Sequence, residues 1–151
     1  MSTGSPLGLP DTRPLGPVDA LVQLSFLVQG VLSAAGAEHD LSVTQIRLLG
    51  VLRDRQVGML ELGRHLGLDK SSMTGLVSRA EKRGLVRRSP SPHDGRAVLV
   101  SLTADGSRLA DQGTAEIARR VTELTARLGD AELAQLTRHL TTLVRPWPQT
   151  P

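Results

Sequence analysis

The side chains best suited to chemistry at a surface lie between residues 69 and 96, and that chemistry is the binding of a polyanion. One stretch, Asp69 to Arg83, holds Lys70, Ser71, Ser72, Thr74, Gly75, Ser78, Arg79 and Lys82. A second, Val86 to Leu102, holds Arg87, Arg88, Asp94 and Arg96. Lysine and arginine neutralise phosphates, and serine and threonine hydroxyls bond either to phosphate oxygens or to base edges. Lys70 and Ser71 would stand in the first turn of a helix, where free backbone N–H groups and the helix dipole already attract anions. The chain has no asparagine, and no glutamine lies between Asp69 and Arg96. Reading of adenine by a side-chain amide is therefore excluded in this region. Direct reading of bases falls to Lys70, Ser71, Ser72, Thr74 and Arg79, with groove shape and phosphate contacts carrying a large share.

Some positions keep two readings. Gly75, in mid-helix, costs roughly 1 kcal/mol relative to alanine; either a side chain there would strike a groove wall, or the position is a tolerant surface. Arg96 is the candidate for insertion into a minor groove, and its other role is an ion pair with Asp94 that shapes the loop. Arg87 and Arg88 read as phosphate contacts or as solvated strand charges.

The same sequence offers little to an enzyme. Hydrolysis or group transfer needs a nucleophile with a positioned base, or a metal. There is no cysteine, and His39, His65, His93 and His139 are scattered, without His-x3-His or acid–histidine spacing. No catalytic group, metal or cofactor is expected. Phe26 and Trp147 are the only aromatics, so base stacking on single strands is disfavoured and a duplex is favoured. Charge agrees: of the chain's net +3, the stretch Arg64 to Arg96 carries eight basic residues against three acids, and the remainder ten against twelve. Segregation of this kind suits a phosphate backbone. No apolar run approaches the roughly 20 residues that cross a bilayer, and the N-terminus lacks the layout of a signal peptide. A cytoplasmic protein with no membrane partner is expected.

The elements that must carry these residues follow from periodicity. Residues 1–17 are rich in proline and glycine and read as a disordered arm. Leu21, Leu24, Val28, Val31 and Leu32 recur at helical spacing over Val18 to about Ala37. Ser42 with Gln45 forms a capping box for a helix ending near Asp54. After a short extended piece, Gln56 to Gly58, a helix runs from about Leu60 to Leu66 and closes at Gly67. Asp69 caps the next helix, in which Met73, Leu76, Val77 and Ala80 form the buried stripe, and Gly84 ends it. Val98, Val100 and Leu102 alternate as a strand, and residues 89–96 form the hairpin tip. Thr103 caps a long helix to about Arg127, and a last helix follows Gly129-Asp130 until Pro146.

This order predicts a mostly α fold with a small β-wing: a winged helix-turn-helix domain (40–102) flanked by dimerisation helices (18–39 and 103–145), with a C-terminal tail (146–151). The recognition helix is 69–83 and the basic wing 86–102. Such a pair puts a helix in the major groove and an arginine in the adjacent minor groove. The flanking helices carry more leucine and valine than a core of roughly 60 residues can cover, so two copies would share them, one turn of duplex (about 34 Å) apart. A winged helix used for protein–protein contact is the alternative; a basic, hydroxylated outer face argues against it.

With these residues in view, Asp40 to Ala110 resembles the MarR family of bacterial winged helix-turn-helix regulators. The resemblance is carried by Asp40 to Gln45, Glu61-Leu62, Leu66 to Thr74, Leu76-Val77, Gly84 to Val86, Asp94-x-Arg96 and Leu102-Thr103-x-x-Gly106. It implies a homodimer with interlocked terminal helices, each subunit offering one winged helix to half of an inverted repeat in double-stranded DNA. Ser71, Ser72 and Thr74 would then lie in the recognition helix, and Asp94 and Arg96 in the wing. The family wing often reads Asp-Pro-x-Asp-Arg-Arg, whereas Ser91 to Arg96 here has one acid and one arginine fewer. Repression is the family's usual outcome, often relieved by a small-molecule effector between the dimer helices and the DNA-binding lobe. Nothing in the sequence identifies that effector, and thiol oxidation is ruled out by the lack of cysteine.

Overall fold

Local rules at the element boundaries set the architecture. Ser42 accepts the backbone N–H of Gln45 at 3.2 Å, and the Gln45 carboxamide takes the Ser42 N–H at 2.8 Å, so both ends of the capping box are made. Gly67 and Gly84 sit in the left-handed region, at φ 66° and 71°, and stop the two helices of the helix-turn-helix. Thr103 closes the start of the long helix by accepting the Gly106 N–H at 3.0 Å.

The computed structural model describes residues 14–145; most of the expected N-terminal arm and the tail with Trp147 lie outside them. In chain order come α1 (Pro17–Ala37), α2 (Val43–Leu52), β1 (Val57–Gly58), α3 (Met59–Leu66), α4 (Lys70–Lys82), β2 (Val86–Pro90), β3 (Val98–Leu102), α5 (Ala104–Thr125) and α6 (Asp130–Val144). The sheet has the order β1-β3-β2 and is antiparallel throughout. Its third strand, β1, was expected only as an extended piece: two residues show no alternation, yet Val57 pairs with Val100 and closes the sheet against α3. The strand β2 runs on to Pro90, into the expected tip, while β3 spans Val98–Leu102 as expected, leaving 91–97 as the tip. Pro90 fits because β2 is an edge strand that needs no donor there.

The core lies where the helix-turn-helix meets the sheet. Leu48, Leu52, Val57, Leu62, Met73, Val77, Val86 and Val100 are its largest fully buried side chains. Helices α1 and α5 pack on α2 and on each other, but neither is covered along its length. Helix α6 buries no residue, and α1 buries only Ala35 and Gly36. One expectation fails here. Helix α1 is long and apolar enough, by length and composition alone, to cross a bilayer, with a mean hydropathy of 1.6 over 18 residues. The polar residues Asp19, Gln23, Ser25 and Gln29 are spread along it, which hides the apolar run from the eye.

Gly106 joins the two halves. A methyl group there would run into the Leu85 carbonyl, so only glycine lets α5 start this close to the end of α4. The Leu85 carbonyl accepts the Thr103 N–H at 3.0 Å, and the Thr103 hydroxyl donates to the Gly84 carbonyl at 2.6 Å. The start of the wing, the end of α4 and the beginning of α5 thus form one joint.

Candidate nucleic-acid interface

Burial of Met73, Leu76, Val77 and Ala80 fixes the rotation of α4 about its axis. Lys70, Ser71, Ser72 and Thr74 are thereby turned to solvent, as are Arg79 and Lys82, with Gly75 and Ser78 at the margin. Asp69 caps the helix through the Ser72 N–H at 2.7 Å. That bond above all, with the Ser72 hydroxyl and the Ser71 N–H, holds the Asp69 carboxyl below its ordinary range. The Thr74 hydroxyl donates to the Lys70 carbonyl at 2.8 Å. Its proton is spent inside the helix, so Thr74 offers a partner an acceptor and a methyl group, not a donor.

Gly75 receives the side chain of Arg79. A Cβ at Gly75 would stand 3.2 Å from Nη1 of Arg79 and meet no backbone outside its own helix. The missing methyl lets the guanidinium lie back along the helix surface, one turn from its own Cα. Among the described residues, Arg64, Lys70, Arg79, Lys82 and Arg96 make no ion pair. With Arg87, which also has no acidic partner, they give α3, α4 and the wing positive charge that no acid offsets.

The wing arginines divide by strand parity. In β2, Val86 is buried and Arg88 shares its side of the strand, while Arg87 faces the other way. Arg87 reaches across the hairpin and its Nε donates to the Ser101 hydroxyl at 3.3 Å. Arg88 instead reaches α4, where Nη2 donates to the Ser78 hydroxyl at 2.9 Å and Nη1 lies 3.5 Å from a Glu81 carboxylate oxygen. At the tip, Asp94 accepts the Arg96 backbone N–H at 3.0 Å, and the Ser91 N–H donates to the Ala97 carbonyl at 2.9 Å. Asp94 therefore shapes the loop through the main chain. The alternative reading of Arg96, an ion pair with the Asp94 side chain, is not made among the described residues.

Sequence reasoning gave no role to Arg83, Glu81 or Ser101. Arg83 binds the carbonyls of Asp40 and His39, both at 2.8 Å, and so clamps the α1–α2 turn to the end of the recognition helix. Asp40 in that turn adopts φ 53°, which aspartate tolerates better than most residues. No sequence signal links residues more than 40 positions apart, so this clamp was invisible.

The flanking helices α1 and α5 are tied to each other by charge. Arg120 on α5 pairs with Glu116 and with Glu38 at the end of α1, and Arg119 pairs with Glu116 at 2.8 Å and Glu123 at 2.5 Å. The Arg119 hydrogen bond first, then that of Arg120, lowers the Glu116 carboxyl from 4.5 to about 2. Between α1, α2 and α5 lies a cavity of about 110 Å³, lined mostly by apolar groups, with His39 and Thr114 as its polar members. A larger, open apolar groove of about 580 Å³ runs between α3 and the start of α4, with Arg64 and Lys70 on its rim.

Comparison with known proteins gives a consistent set of similarities. A MarR-family profile matches residues 39–97. The organic hydroperoxide resistance transcriptional regulator of Bacillus subtilis is 36% identical over 84 residues, 56% of this chain and 56% of that protein. The repressor NicR of Pseudomonas putida is 30% identical over 126 residues, 77% of this chain and 79% of that one. The chain thus spans little more than half of the first relative and most of the second. Wild-type MarR from E. coli, in its apo form, superposes with a TM-score of 0.75 at 26% identity, over 88% of this chain and 100% of that chain. A mutant of the same protein complexed with operator DNA superposes at 0.70 and 26% identity, over 85% of this chain and 94% of that one.

Proposed function

We propose, from the premise that this chain belongs to the MarR family, that it is a DNA-binding transcriptional regulator acting as a homodimeric repressor. The observation that carries this reading is the outer face of α4. It is small, hydroxylated and bordered by lysine and arginine side chains without acidic partners. Lys70, Ser71, Ser72, Thr74 and Arg79 would face base edges and nearby phosphates in the major groove, with Gly75 admitting the helix closely. Lys82 and Arg87 would touch the backbone. Arg96, held by a tip that Asp94 folds through its main chain, would enter the neighbouring minor groove, where the negative potential of narrow A·T tracts attracts arginine. A relative of this fold has been solved on its operator, which supports that orientation.

The uncovered apolar faces support the dimer. Phe26, Leu27, Leu21 and Val22 on α1 are between 47% and 66% exposed, and Leu143 and Val144 on α6 are more than 60% exposed. A monomer would leave these side chains in water, whereas two copies packed on a two-fold axis would bury them. The same pairing accounts for the apolar character of α1 in a cytoplasmic protein. A small-molecule effector, of a class the sequence does not name, would enter between the dimer helices and the DNA-binding lobe and alter the angle between them.

Selection from random duplexes by the purified chain tests the reading. Recovery of an inverted repeat, its half-sites about one helical turn apart, is the expected result. Enrichment of no sequence, together with no duplex binding at low salt, would overturn it.

A further inference from the structure

We propose that Arg88 is a positioning residue: with Ser78 and Glu81 it locks the wing to the recognition helix and sets where Arg96 falls, and it makes no contact with DNA phosphate. The inference rests on the proposed DNA-binding reading but goes beyond it. A basic residue on the wing of a DNA-binding protein would ordinarily be counted among its phosphate contacts. Three observations place Arg88 elsewhere.

The first is strand parity. Arg88 stands two residues after the buried Val86 and pairs in register with the buried Val100, so its side chain leaves the hairpin on the side that packs against α4. Arg87, one residue earlier, leaves on the opposite side. The second is the geometry of the partners. Ser78 and Glu81 are three residues apart on α4 and so present neighbouring groups on one helix face. The planar guanidinium fork spans them, with 2.9 Å to the Ser78 hydroxyl and 3.5 Å to the Glu81 carboxylate. The third is charge. Glu81 is the only acid within α4 (Lys70–Lys82), and it sits beside the one wing arginine that needs a fixed direction. An acid facing a phosphate backbone costs affinity, so its place beside Arg88 is explained by the brace and not by DNA.

The position gives the brace leverage. Arg88 ties the hairpin down near its base, and the tip lies several residues beyond. At roughly 3.3 Å per residue of strand, the tip stands on the order of 10 Å past the brace, so a tilt of about ten degrees would carry Arg96 about 2 Å sideways. That displacement is enough to draw Arg96 out of a minor groove, while the core joint at Gly106, Leu85 and Thr103 stays intact.

Two readouts test this on the full chain. In the absence of DNA, amide hydrogen exchange of residues 86–102 is measured in wild type, Arg88→Ala, Ser78→Ala and Glu81→Ala. Each substitution should speed exchange in the hairpin, and the double variants with Arg88→Ala should exchange no faster than Arg88→Ala alone. This arm stands even if no duplex is bound. With a duplex recovered by selection, Arg88→Ala should weaken binding about three- to tenfold with the slope of log Kd against log salt unchanged. In the Arg88→Ala background, Glu81→Ala should tighten binding, because the acid has then lost its partner and only repels phosphate. Unchanged hairpin exchange in Arg88→Ala, or a salt slope shallower by about 0.9 for each phosphate no longer neutralised, would overturn the proposal. Failure of wild type to bind any duplex would instead count against the DNA-binding reading.

Discussion

Replacing Gly75 by alanine should move stability and DNA binding in opposite directions. Gly75 lies in the middle of the 13-residue helix α4, where alanine is favoured over glycine by about 1 kcal/mol. The structure says what could cancel that gain. A Cβ built at Gly75 meets only the end of the Arg79 side chain, at 3.2 Å from Nη1, and that flexible group can retreat by a few tenths of an ångström. Most of the gain should survive, so Gly75→Ala is expected to raise stability by about 0.5–1 kcal/mol, or roughly 1–4 °C in Tm. On DNA the added methyl enters an already close contact and displaces Arg79. Overpacking of that kind costs about 1–3 kcal/mol, so affinity should fall about fivefold or more. Urea denaturation and fluorescence anisotropy on a selected duplex measure the two halves. A loss of stability would mean that the fold itself needs the glycine. Higher stability with unaltered affinity would mean that this face never meets a groove.

Other outcomes follow from the same geometry. Gly106→Ala should destabilise by about 2–3 kcal/mol, because its methyl would meet the Leu85 backbone carbonyl; a variant within about 0.5 kcal/mol of wild type in urea would contradict the close approach. Arg96→Ala should weaken binding chiefly on duplexes with A·T-rich flanks, and an equal loss on G·C-rich flanks would remove Arg96 from the minor groove. Lys82→Ala should weaken all duplexes alike and lower the salt slope by about one. Glu116 titrates at about 2 when folded against 4.5 ordinarily. A carboxyl depressed in this way adds stability that is present above its unfolded value and is lost as the pH falls through the folded one. The stability gap between wild type and Glu116→Gln should therefore close between about pH 4.5 and about pH 2, and a gap constant across that window would show that the Arg119 and Arg120 contacts do not act through the charge of Glu116.

What could be read from sequence was what local chemistry decides. Ser42 with Gln45, Asp69, Thr103 and the two left-handed glycines mark element ends within four residues of themselves, and the structure has each of them in that role. The stripe Met73, Leu76, Val77 and Ala80 likewise fixed which face of α4 looks outward. Contacts between distant elements were not legible. The strand β1 is too short to alternate, and only its pairing with β3 reveals it. Arg83 and Arg88 looked alike as basic residues, yet one clamps the α1–α2 turn and the other spans Ser78 and Glu81. Gly106 was visible as part of a family pattern, but its reason, the Leu85 carbonyl, belongs to another element.

The claim that α4 and the wing together grip double-stranded DNA is most directly tested by titrating a labelled duplex with the full chain at several salt concentrations. Binding should tighten as salt falls, with a slope corresponding to several phosphates per subunit and two chains bound per selected site. Absence of binding in dilute buffer, or binding indifferent to salt, would contradict it.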